Sequence, residues 1–250
     1  MKREELVKYL DVYLRISEIK DESQNGLQVE GAEEVKKVCF AVDSCLEAFQ
    51  RAATSGAQMI IVHHGIFWER FTPLRWIQRQ RIKLLLETDL SLYAAHLPLD
   101  LHPKVGNNVQ LARILGLKVK GAFGEYHGVS IGVEAELKRE ISLEEFTGMA
   151  EEKLGGGLRV VNFGPKRIKR VGIVSGGAGW IVNEAGQKGL DLYITGEPSH
   201  SAFRPAQEYG VNIIYAGHYL SETVGLKALA EHLKRKFGLE TEFTELPTGF

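Results

Sequence analysis

The sequence predicts an α/β protein: two related α/β units from an internal duplication, each a mostly parallel sheet with helical cover. Three observations carry that expectation. Short continuous apolar runs alternate with segments of helical period, the pattern of strands covered on both faces. The order of these runs recurs in the second half of the chain. Each series closes on a His-x-x-x-carboxylate motif, His96 to Asp100 and then His218 to Glu222. At 250 residues there is room for one large domain or two modest ones. A 44% hydrophobic and 25% charged composition excludes a disordered or fibrous chain.

Met1-Lys2-Arg3-Glu4-Glu5 runs into an amphipathic helix and lacks the apolar stretch of a secretion signal. After a charged approach, Lys36 to Val42 reads as a strand. A helical stretch of small and apolar residues follows, then a Gly, then the run Gln58-Met59-Ile60-Ile61-Val62, which ends in His63-His64-Gly65. A further helix precedes the strand that leads to Tyr93-Ala94-Ala95-His96-Leu97-Pro98-Leu99-Asp100, where Pro98 makes the motif a turn or a helix start. The next helix, Asn108 to Leu115, carries Val109, Leu111, Ala112 and Leu115 on one face. The segment Gly128 to Phe163 reads as strand (Val129 to Val133), helix and strand. Its helix opens with a capping box, Ser142 and Glu145, and the segment is expected to be scaffold. The second series begins at Lys169 to Ser175, continues with Asp191 to Thr195 ending in Gly196-Glu197, and reaches Tyr215-Ala216-Gly217-His218 before a helix from Glu222 to Phe237. Gly124 and Gly128 punctuate the chain between the halves, so the expected units are 1–125 and 126–250.

A formal net charge of −1 gives no global basic field for nucleic acid. The densest basic group, Lys166, Arg167, Lys169 and Arg170, flanks a strand on a solvated face. No run of eighteen apolar residues is present, so no membrane helix is expected. Two cysteines, Cys39 and Cys45, fit no standard zinc spacing and read as small buried residues of a reduced, cytoplasmic protein.

Imidazole and carboxylate are the usual ligands of zinc, iron and manganese. His63, His64, His96, Glu197 and His218 all stand where an apolar run ends, and open α/β sheets gather ligands at the carboxyl ends of their strands. His218 and Glu222 share a helix face if the helix has begun by His218. Adjacent histidines on a straight strand point to opposite sides, so His63 and His64 either leave the strand at a bend or serve different ions. This favours a two-metal centre of His63, His64, Asp100, His218 and Glu222, with Glu222 as a bridging carboxylate and open positions for water. His96 and His200 either orient a ligand or transfer protons, and Glu197 is a second proton-transfer candidate. His102, His127 and His232 read as structural. The cluster Ser175-Gly176-Gly177-Ala178-Gly179 offers backbone N–H groups of Gly176, Gly177 and Gly179 for phosphate, or is simply a tight strand-to-helix turn. The run Phe67 to Trp76 either walls a substrate pocket, with Arg70 or Arg75 meeting an anion, or packs in a core or subunit contact.

With these residues in view the chain resembles the NGG-one-interacting factor three family, also called GTP cyclohydrolase I type two homologs. The resemblance spans nearly the whole chain. It rests on Asn25-Gly26-Leu27-Gln28-Val29, His63-His64-Gly65, His96-x-Pro98-x-Asp100, the 175–179 loop, Thr195-Gly196-Glu197 and Gly217-His218-x-x-x-Glu222. The size resembles the short form, without an inserted domain. The resemblance implies a toroidal homohexamer and a dinuclear centre of two divalent metal ions per chain, with ligands at His63, His64, Asp100, His218 and Glu222. It also implies a GTP-like nucleotide or related phosphate-bearing heterocycle as substrate, opened by hydrolysis. The alternative is a non-catalytic, metal-binding oligomeric scaffold or regulatory protein that binds a protein partner.

Overall fold

The computed structural model describes residues 1–70 and 72–249. They form two α/β units: Met1–Val105 with Gly225–Leu246, and Gly106–Val224 with the residues from Pro247 on. The first begins with helix α1 (Arg3–Tyr13), strands β1 (Gly26–Val29) and β2 (Lys37–Asp43), and helix α2 (Leu46–Thr54). Strand β3 (Met59–His64), helix α3 (Trp76–Glu87), strand β4 (Ser91–Ala94) and the single turn α4 (Leu97–Asp100) follow. Residues 38–42 and 59–63 are buried throughout, which explains why these strands read as unbroken apolar runs. Strands β2 and β3 pair in parallel from Val38↔Met59 to Asp43↔His64, and β3 pairs in parallel with β4 from Met59↔Ser91 to Val62↔Ala94. That register brings Asp43, His64 and the residues after Ala94 to one edge of the sheet. Helix α2 presents Ala48, Phe49 and Ala52 to the core, and its first turn is capped by Cys45, whose Sγ accepts from the Ala48 N–H at 3.4 Å. Burial of Phe49, Ile60, Leu85 and Leu92, at roughly 1.5–3 kcal/mol each, holds this layer together.

The second unit comprises α5 (Asn107–Ile114), β5 (Lys118–Tyr126), β6 (Val129–Ser142), α6 (Leu143–Leu154), β7 (Arg159–Asn162) and β8 (Arg167–Ile173). A 3-10 turn at Gly179–Ile181 leads into α7 (Val182–Gln187), then β9 (Leu192–Thr195), α8 (His200–Tyr209) and β10 (Asn212–Tyr215). Helix α9 (His218–Phe237) starts with residues of this unit and continues with residues of the first. Strand β11 (Glu240–Phe243) then completes the first sheet, in the order β1-β4-β3-β2-β11. It pairs in parallel with β2, and Lys37 Nζ meets Glu240 at 3.0 Å and Glu242 at 2.7 Å. The second sheet runs β5-β6-β8-β9-β10-β7. Its centre, β8-β9-β10, is parallel, whereas β5, β6 and β7 pair antiparallel with their neighbours. The capping residue read from sequence is in place, with Ser142 Oγ accepting from the Glu145 N–H at 3.0 Å.

The division of the chain differs from the expected 1–125 and 126–250. It falls at Val105/Gly106, and Gly225–Leu246 rejoins the first unit. The punctuation at Gly124 and Gly128 belongs to the β5–β6 hairpin. His127 at φ +49° and Gly128 at φ +81° supply the two positive-φ positions of a tight hairpin turn inside the second unit.

Candidate metal centre

In the first unit the imidazoles gather where β3 and β4 end. His63 is fully buried, and its Nδ1–H donates to the Ala95 carbonyl at 2.8 Å. A carbonyl only accepts, so Nδ1 carries a proton, and Nε2 lies 3.6 Å from Asp100 Oδ2. His64 Nδ1 donates to Asp43 Oδ1 at 2.8 Å, across the parallel register that sets those residues side by side. His96 Nδ1 lies 3.0 Å from both oxygens of Asp21. The rings converge: centroids are 4.9 Å apart for His63–His64, 5.0 Å for His63–His96 and 5.7 Å for His64–His96. One ring nitrogen from each of the three lies within 4.8 Å of the others. Asp100 is buried in α4, whose first turn contains Pro98 as a helix start allows.

In the second unit His218 opens α9. Its Nδ1 meets Glu197 Oε1 at 2.7 Å and its Nε2 meets Glu222 Oε2 at 3.1 Å, the i,i+4 spacing read from sequence. Burial works against a charge on this imidazole, but the hydrogen bonds and charges of Glu222 and Glu197 prevail and lift its pKa to about 9. A metal-free His218 is therefore an imidazolium at neutral pH. A divalent cation taken up by Nε2 and the buried Glu222 carboxylate would displace that proton. Glu197 is thereby held against the Nδ1 side of the His218 ring, opposite Glu222.

The glycine loop is built around these groups. Gly176 has φ +66°, and a Cβ there would collide with Glu222 Oε1. At Gly177 it would lie 3.2 Å from Glu197 Oε2. Ser221 Oγ accepts from the Gly176 N–H at 3.0 Å and donates to the His218 carbonyl at 2.8 Å, fastening the loop to α9. Thr195 Oγ1 accepts from the Ala178 N–H at 3.3 Å. Gly179 is small because Ser199 packs against its Cα. Carboxylates crowd Gly176 and Gly177, Ser199 crowds Gly179, and the N–H groups of Gly176 and Ala178 are bonded to hydroxyls, so packing in a tight strand-to-helix turn accounts for small residues here.

The remaining candidates separate. His200 is the exposed first residue of α8. His127 is the hairpin turn residue, and His232 stacks on Tyr13 with centroids 4.3 Å apart. His102 is buried, and its Nδ1 accepts from the N–H groups of Lys104 at 3.2 Å and Val105 at 3.1 Å. Its burial, reinforced by the charges of His232 and Lys104, takes its pKa down to about 4. Of the run Phe67 to Trp76, Trp68 touches the site, edge-on to His96 at 5.1 Å with Nε1–H donating to the Gly65 carbonyl. Arg70 and Arg75 are exposed, and Phe71 lies outside the described residues. Two residues were not singled out from sequence. Asp43 carries a signal after the fact, since it ends an apolar strand as His64 does. Asp21 carries none.

Comparison with known proteins adds to this geometry. The family model for Duf34/NIF3 (NGG1p interacting factor 3) matches residues 1–248. A Pyrococcus abyssi protein named GTP cyclohydrolase 1 type 2 homolog is 47% identical over 250 residues, covering 100% of both chains. An Archaeoglobus fulgidus protein of the same name is 46% identical over 245 residues, 98% of each chain. Among solved structures, protein ybgI, described as of unknown function, matches with a TM-score of 0.94 at 36% identity over 100% of both chains. A Thermus thermophilus protein matches at 0.91 and 40% identity, again over 100% of both.

Proposed function

The chain belongs to the Duf34/NIF3 family, and from that premise we propose that it is a metal-dependent hydrolase acting on a GTP-like nucleotide or related phosphate-bearing heterocycle. His63, His64 and Asp100 in the first unit, and His218 and Glu222 in the second, are the ligands for two divalent ions per chain. The observation that supports this most is the orientation of the donors. Each of His63, His64, His96 and His218 has Nδ1 on a carbonyl or carboxylate oxygen, leaving Nε2 as the atom to offer a metal. Histidines that bind metal are held in this way, the outer acceptor fixing the tautomer and raising the basicity of the other nitrogen. An ion held there supplies Lewis acidity and a water acidified toward neutral pH. The protein's share is orientation: Ala95 and Asp43 fix the adjacent imidazoles, Glu197 fixes His218, and the glycine loop lets Glu222 lie against backbone. The relatives' names supply the nucleotide class.

The test is metal content per chain in protein purified without chelator, with His64→Ala alongside, followed by a turnover assay with GTP and other purine nucleotides. Two ions in the wild type, a clear loss in the variant and nucleotide turnover carry the proposal. Metal without turnover leaves a metal-carrying scaffold, and no metal uptake by the wild type ends the metal reading.

A further inference from the structure

The chain just beyond the adjacent histidines is held as a short rail against residues 22–28. The Gln24 N–H donates to the Phe67 carbonyl at 3.0 Å, the Glu69 N–H donates to the Glu22 carbonyl at 2.7 Å, and Ser23 and Trp68 form an antiparallel bridge. Gln28 Oε1 accepts from the Ile66 N–H at 2.8 Å, and Gly65 is required beside it because a Cβ there would overlap the Gln28 amide. Ile66 and Phe67 pack into the apolar core of the first unit. The Trp68 ring lies instead beside the imidazoles. Its centroid is 5.1 Å from that of His96, with the planes at 70°, and 6.4 Å from that of His64, with the planes at 38°.

The indole is half-buried, and its one polar atom is already used, since Nε1–H donates to the Gly65 carbonyl at 3.0 Å. An indole N–H only donates, so Trp68 has no lone pair to give a metal. What it leaves toward solvent is hydrocarbon and π surface, which water covers at a cost. A ring fixed by its own N–H bond and by the backbone on both sides loses little further freedom when a ligand arrives. That is the arrangement that stacks a flat ring, and every nucleobase offers a π face for it.

Resting on the nucleotide reading above, we propose that Trp68 is the stacking wall for the heterocycle of the substrate. The indole selects a planar base over phosphate esters that lack one. It also brings the heterocycle, and not the phosphates, alongside the imidazoles of the first unit. Stacking of this kind distinguishes flat rings as a class and does not choose among purines.

GTP and tripolyphosphate together test it, because tripolyphosphate carries the charge without the base. Binding of each to zinc-loaded, full-length protein is measured by calorimetry for wild type, Trp68→Leu and Trp68→Phe, with zinc content and melting curves recorded. Trp68→Leu keeps apolar bulk and loses the aromatic ring. It is expected to weaken GTP binding by about 10–100-fold, the usual worth of one base–aromatic stack, and to leave tripolyphosphate within twofold. Trp68→Phe, which retains a ring, should keep most of the GTP affinity. The chain has three tryptophans, so replacing Trp76 and Trp180 by Phe leaves Trp68 as the one indole. GTP should then quench its emission, and tripolyphosphate should not. A Trp68→Leu protein that binds GTP within twofold of wild type overturns the proposal, as does indole emission indifferent to saturating GTP. Equal losses for GTP and tripolyphosphate overturn it too, because they reduce Trp68 to a support for the shape of the site. Wild-type protein that takes up zinc yet binds neither ligand refutes the nucleotide reading itself. A result against Trp68 while the wild type still binds GTP leaves that reading standing.

Discussion

Gly176→Ala measures how tightly the proposed metal ligands of the second unit are packed against backbone. Two effects add. Gly176 sits at φ +66°, and an L-residue held in that left-handed region costs about 1–2 kcal/mol. The new Cβ would also overlap Glu222 Oε1. Glu222 has little freedom to yield, since its side chain is 4% exposed and Oε2 is 3.1 Å from His218 Nε2. Moving it breaks that charge-assisted contact, worth roughly another 1–3 kcal/mol. The expected destabilisation is therefore about 2–5 kcal/mol, and at roughly 2–4 °C per kcal/mol the melting transition falls by about 4–20 °C. Differential scanning calorimetry reads it, because two units need not melt together. Gly121→Ala is the control: that glycine lies in β5 with nothing within 4 Å of a new Cβ and no positive φ, so the substitution is neutral or slightly stabilising. Metal affinity of Gly176→Ala should also drop at least tenfold. A Gly176→Ala protein that melts within about 1 °C of wild type and binds metal normally would refute the packing argument.

Acid stability follows from Asp21. Burial raises its pKa, but hydrogen bonds with His96, Asn25 and the Ser23 N–H outweigh burial and bring it to about 2. A depressed carboxylate pKa contributes stability above about pH 4 that is lost as pH falls toward 2, on the order of 2 kcal/mol. Asp21→Asn should be less stable at neutral pH and show a flatter stability profile across that window, measured by urea denaturation. His102 behaves with the same sign for a different reason. Its folded pKa near 4 lies below the ordinary 6.5, so its contribution is complete above about pH 6.5 and is lost as pH falls toward 4. Proton NMR should find its ring neutral at pH 5.5, and a His102 titrating near 6.5 would contradict the backbone donors placed on Nδ1. Ser221→Ala removes the hydroxyl that accepts from Gly176 and leaves that buried N–H unsatisfied. A loss of about 1–3 kcal/mol is expected by chemical denaturation.

What the sequence disclosed of the site, it disclosed through strand ends. His63, His64, His218 and Glu222 stand where an apolar run stops or a helix face begins, and periodicity marks such places. The acceptors behind them are harder to see. Asp21 lies in a loop without period, and nothing local says that the chain after β4 will fold against it 75 residues later. The glycines of the 175–179 loop were visible as a cluster, but what crowds them comes from residues 197, 199 and 222, which no local pattern connects to the loop. The junction between halves went astray for a related reason. Gly124 and Gly128 announce a turn, and a turn within a hairpin looks locally like a turn between domains. Strand β11 alternates Glu240, Thr241, Glu242 and Phe243 without an apolar run, so its pairing with β2 is knowable only from tertiary structure.

That pairing has a consequence for the chain as it is made. Strand β2 leaves the ribosome some two hundred residues before β11, and in the interval its outer edge presents unpaired N–H and C=O groups to every neighbouring nascent chain. Such an edge is the usual template for aggregation, and a charged residue on it is a common safeguard. Lys37, which later binds Glu240 and Glu242, stands at that edge throughout. The second unit's sheet, by contrast, draws all its strands from one continuous stretch and closes as soon as that stretch has been translated. The sheet that begins first is therefore the one completed last, and the β2 edge is the part of it left unpaired longest.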